Sequence, residues 1–83
     1  MRTTEEELAH FEPTRGLMSE LDANLRSLFN LCQSRLRSQT FYSEGFIGWN
    51  ATCMELGHLV ARVHEMQEDM EMIAQFWERQ VGA

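Results

Sequence analysis

A chain of 83 residues and 9.7 kDa holds one small domain; hydrophobic residues at 43%, charged residues at 24%, one Pro and five Gly exclude wholesale disorder and collagen-like repeats. Thirteen acids stand against seven basic residues, all of them Arg, for a net charge of −6; such a field repels phosphate and speaks against a direct reader of DNA or RNA. No apolar run approaches the roughly 20 residues of a membrane helix, and residues 1–13 lack the apolar core of a signal peptide, so a cytoplasmic chain with no membrane contact is expected.

Helical periodicity dominates the chain, and the fold class it implies is all-α, a single helical domain over residues 1–83. A short first helix is predicted over about 4–11, capped by Thr3 or Thr4, with Glu5, Glu6 and Glu7 where the helix dipole favours negative charge. Pro13 disfavours the helical region at Glu12 and is expected to end this piece. A second helix follows over about 15–38, where Met18, Leu21, Leu25, Leu28, Cys32 and Arg35 recur at spacings of three and four. Leu17, Phe29, Leu31 and Leu36 widen that stripe beyond what one partner helix covers. Residues 39–48 carry Ser43, Gly45 and Gly48 and read as the connection, unusually apolar for a loop because of Phe41, Tyr42, Phe46 and Ile47. The third helix starts at Ser43 or Asn50, both good caps, and occupies about 46–80. Its stripe is Trp49, Cys53, Leu56, Leu59, Val63, Met66, Met70, Ile73 and Trp77, interrupted by Gly57.

Folding the two long helices back on each other about residues 42–43 places facing layers at a roughly constant sum of residue numbers. Leu36 then meets Trp49, Cys32 meets Cys53, Phe29 meets Leu56, Leu25 meets Val60, and Met18 lies near Met66. Apolar meets apolar at each layer, as an antiparallel helical hairpin requires. The lengths do not match: at about 1.5 Å per residue the second helix is ~36 Å long and the third ~48–54 Å. The overrun, about 72–81, contains Ile73, Phe76, Trp77 and Val81. Either Leu8 and Phe11 of the short first helix cover it, or a second chain does. Wide stripes on a two-helix unit also predict oligomerisation, as homodimer or heteromer, to complete a bundle.

No residue set for catalysis emerges, so the chain is read as no enzyme and no cofactor is expected: no nucleophile stands beside a base, and there is no glycine-rich phosphate loop. Glu55 and His58 form a Glu-x-x-His pair of the kind di-iron bundles use, but level with them lie Phe29, Asn30 and Leu31, none a carboxylate. They remain the weak metal candidates, reachable only if symmetry brings two copies together. Cys32 and Cys53 share a layer and read as buried free thiols, with no cation placed to lower either pKa. The function expected is that of a small interaction module, a regulator or subunit that docks an apolar and aromatic stripe on another protein or on itself. Its anchors are Met70, Ile73, Phe76 and Trp77 at the overrun and Phe41, Tyr42 and Phe46 at the loop, large side chains being the usual interface anchors. Two alternatives are an acidic inhibitor that covers a basic surface, and a metal-binding oligomer built on Glu55 and His58.

Overall fold

The computed structural model describes residues 3–82, and among them the chain is two helices, α1 (Thr4–Arg37) and α2 (Glu44–Gly82), joined by residues 38–43. The all-α antiparallel hairpin is thus the fold. Thr3 caps α1: its hydroxyl accepts the Glu6 amide at 3.2 Å and its carbonyl accepts the Glu7 amide at 3.1 Å. Ser43 caps α2 in the same way, its hydroxyl accepting the Phe46 amide at 3.1 Å and its carbonyl the Ile47 amide at 3.0 Å. Ser43, not Asn50, is therefore the start signal, and Asn50 lies inside the helix.

The separate helix over 4–11 is not found. Pro13 lies inside α1, which runs unbroken for 34 residues. Pro13 has no N–H to give the Ala9 carbonyl, but both residues are exposed, where an unpaired carbonyl costs less than in a core. Tertiary contacts flank the proline on either side. Phe11 packs edge-on against Trp77, with centroids 5.1 Å apart and planes at 79°, and two residues past the proline Arg15 pairs with Glu71. With α1 at 34 residues and α2 at 39, the predicted overrun largely disappears: the segment before Pro13 lies alongside the end of α2.

Burial shows which residues face each other. Among the covered positions, one row on α1 is Leu8, Phe11, Arg15, Met18, Asp22, Leu25, Phe29, Cys32 and Leu36, and one row on α2 is Trp49, Cys53, Leu56, Val60, Val63, Gln67, Met70, Ala74 and Trp77. Spacings of three and four alternate without a break on both helices, the pattern of a coiled-coil seam. A cluster of buried residues lies toward the loop, where Cys32, Cys53 and Leu56 are buried among Leu25, Phe29, Leu36 and Trp49, the layers that constant-sum pairing predicts. Met66 departs from that pairing: it is turned outward, and Met18 shares a groove with Met70 instead. Away from the loop the seam carries Arg15, Asp22 and Gln67. Asp22 accepts from the Arg26 guanidinium one turn on at 3.0 Å, which keeps a polar side chain tolerable at a covered position.

The predicted stripes mix two adjacent rows. Leu21, Leu28 and Arg35 of α1, and Leu59, Met66 and Ile73 of α2, are exposed. Asp22, Phe29 and Leu36, with Val60, Gln67 and Ala74, take the places in the seam. The molecule is a rod of 60 × 19 × 15 Å with a radius of gyration of 18.6 Å, against roughly 12 Å for a compact domain of this length.

Candidate docking surface

The anchors expected from the sequence separate into three environments. At the loop, Phe41 and Tyr42 are exposed and Phe46 half-buried. Their rings form one cluster, with centroids 4.0 Å apart for Phe41–Tyr42, 5.0 Å for Phe41–Phe46 and 6.0 Å for Tyr42–Phe46. Tyr42 has φ of 61°, a left-handed backbone that costs a bulky residue about 1–3 kcal/mol. The Ser43 amide donates to the Thr40 carbonyl at 3.0 Å and closes this turn. At the far end, Trp77 and Met70 turn into the seam, Trp77 onto Phe11 and Met70 into a groove shared with Arg15, Met18 and Glu71. Ile73 and Phe76 point away from the seam and stand exposed.

Arg15 sits half-buried at that groove, held by Glu71 and by Glu12, the latter at 2.5 Å. The hydrogen bond it donates to the Glu71 carboxylate is the main reason its guanidinium pKa is raised. Both of its partners are half exposed, so the pairs orient the helix ends more than they stabilise them.

Six further residues belong with Ile73 and Phe76. Leu21 and Leu28 each stand one residue before a seam position of α1, Asp22 and Phe29; Leu59, Met66 and Ile73 each stand one residue before Val60, Gln67 and Ala74 of α2. In an antiparallel pair of right-handed helices, that backward step of about 100° leads to the same side of the hairpin on both. Leu17 and Leu31 extend the row on α1, as Phe76 does on α2. Leu21 is level with Met66, and Leu28 with Leu59. All eight side chains are 43–66% exposed, and together they make one apolar face. The opposite side carries Glu12, Ser19, Arg26, His64, Glu71 and Glu78. Sequence reasoning assigned Leu21, Leu28, Leu59 and Met66 to the core; their signal was present as a second row at the same spacing.

The remaining polar candidates do not gather. Glu55 and His58 are exposed, and among the described residues no group of three or more His, Cys, Asp or Glu side chains is placed to hold a metal ion. Among the described residues no helix is long and apolar enough to cross a membrane. The acids of α2 occupy positions all round its outward surface, and some are engaged locally: Glu65 lies 3.4 Å from Arg62, and Glu68 lies 3.0 Å from His64. Cys32 and Cys53 are buried free thiols; burial, with a smaller contribution from the neighbouring Cys32, pushes the Cys53 thiol up. Compared with protein-family models, with curated proteins and with solved structures, the chain matches none.

Proposed function

We propose that this chain is a small non-catalytic interaction module that works by docking the apolar side of its hairpin onto a protein surface. The observation that supports this is the row of eight exposed apolar side chains on one side of the seam, Leu17 to Leu31 on α1 and Leu59 to Phe76 on α2. Scattered exposed leucines are ordinary, but a continuous row on one side, opposite a polar side, marks a surface that is covered in use. The aromatic cluster at the loop is a second apolar feature at one end of the rod.

Association of the tagged chain, with itself or with co-purified protein, tests the reading. Leu28→Glu is expected to abolish association, Phe41→Ala to reduce it little, and high salt to leave it intact, because apolar contact is not screened. A complex that survives Leu28→Glu but dissociates as salt rises overturns the reading and favours the acidic inhibitor.

A further inference from the structure

The occupant of the apolar face is the question the hairpin leaves open, and the pattern of the face itself narrows it. We infer that a second copy of this chain covers it, about a two-fold axis that lies in the plane of the interface, perpendicular to α2 and passing between Met66 and its own copy. This rests on the docking reading above and names its partner.

The area comes first. The chain exposes 6357 Å², whereas a folded monomer of its mass exposes on the order of 5,100 Å². The eight side chains of the face are 43–66% exposed; on residues of roughly 200 Å² each, that leaves on the order of 800 Å², the share each partner contributes to a standard stable interface.

Charge comes second. The molecule carries −6, which opposes self-association in general. The face does not share that charge. Within the span from Leu17 to Leu31 and from Leu59 to Phe76, the charged residues on this side are Arg62 and Asp69, and they cancel. A strongly basic partner has nothing to read there, while a second copy meets no repulsion.

The third observation concerns symmetry. Leu59 and Ile73 stand seven residues either side of Met66, and Arg62 and Asp69 stand four before it and three after it. An isologous contact requires a patch complementary to itself under two-fold rotation. Laying α2 antiparallel on its own copy with Met66 on Met66 sets each Leu59 against Ile73 and each Arg62 against Asp69. The same rotation places Leu21 of α1, level with Met66, against its own copy. The product is a four-helix bundle in which every helix runs antiparallel to both neighbours.

Light scattering over a dilution series reads the mass directly, and twice 9.7 kDa is expected. Leu59→Glu is expected to halve that mass with the helical circular dichroism retained, since the side chain is exposed in the hairpin. Arg62→Glu is expected to raise the dissociation constant about 5- to 30-fold through two like-charge contacts per dimer, and the swapped pair Arg62→Glu with Asp69→Arg is expected to restore it. A dimer indifferent to Leu59→Glu overturns both this inference and the docking reading. Should Leu59→Glu lose its helical signal, Leu21→Gln is read in its place by the same criteria. A dimer broken by Leu59→Glu but indifferent to Arg62→Glu overturns the axis at Met66. A wild-type monomer overturns the second copy in any case. If that monomer binds the neutral dye Nile red and Leu59→Glu removes the binding, the docking face stands; if it binds none, that reading fails as well.

Discussion

Replacing Gly57 with alanine is expected to stabilise the hairpin, and the size of the gain tests the register of its two helices. Gly57 lies inside α2, where glycine costs about 1 kcal/mol relative to alanine. A methyl group built there meets the Phe29 ring edge at 3.7 Å, an ordinary van der Waals contact. The new methyl therefore fits without displacing α1, and its partial burial adds up to ~0.8 kcal/mol. The expected gain is about 1–2 kcal/mol, or roughly 5–15 °C in Tm for a domain of this size. Gly16 in α1 is the reference, because a methyl there has nothing within 4 Å; Gly16→Ala should yield the propensity share alone, roughly 4–8 °C. Thermal melts followed by circular dichroism, at one protein concentration for all variants, measure both. If Gly16→Ala raises Tm and Gly57→Ala lowers it, the helices approach more closely at Gly57 than the seam allows, and the register with Phe29 opposite Gly57 is refuted.

Three other outcomes are expected. Pro13→Ala should stabilise the fold by as much as ~3 kcal/mol, read as a higher urea midpoint, and slow amide exchange over residues 4–12; an unchanged midpoint would mean that the segment before Pro13 adds nothing to the folded state. Phe11→Ala and Trp77→Ala should be non-additive, with a coupling of about 0.5–1.5 kcal/mol from their edge-on contact; strict additivity in a double-mutant cycle would show that the rings do not pack together. Because burial raises the Cys53 thiol in the folded state, its contribution is complete below the ordinary thiol range and is lost as pH rises past about 8.5. The wild-type urea midpoint should therefore fall between about pH 7 and about pH 10 more than that of Cys53→Ala, and parallel falls would refute the role of the thiol.

Much of the fold was legible because it follows from local chemistry and arithmetic. The three-and-four spacing of large apolar residues specifies helix, the cluster of Ser43, Gly45 and Gly48 marks the break, and antiparallel pairing makes the layers Leu36–Trp49 through Leu25–Val60 follow once the turn is located. The Thr3 cap and the acidic first turn of α1 belong to the same class of signal. Pro13 shows the limit of that class. A local rule ends a helix there, but α1 continues through an exposed Pro13, with tertiary contacts on either side of it, Phe11 on Trp77 and Arg15 on Glu71.

The apolar face was hidden for a different reason. Two rows one residue apart, Leu21 and Leu28 beside Asp22 and Phe29, and Leu59, Met66 and Ile73 beside Val60, Gln67 and Ala74, share one period. Hydropathy favours the row that contains Leu21 over the row that contains Asp22, yet the covered row is the one with Asp22 and Gln67 in it. Rotation of a helix about its own axis is invisible to period and is decided by which side chains of the partner fill the opposite layer. Composition and spacing therefore determined that this chain is a helical hairpin with more apolar surface than two helices can bury. Only the packing of α1 on α2 decided which part of that surface is left outside, because that choice is made by contacts between residues far apart in the chain.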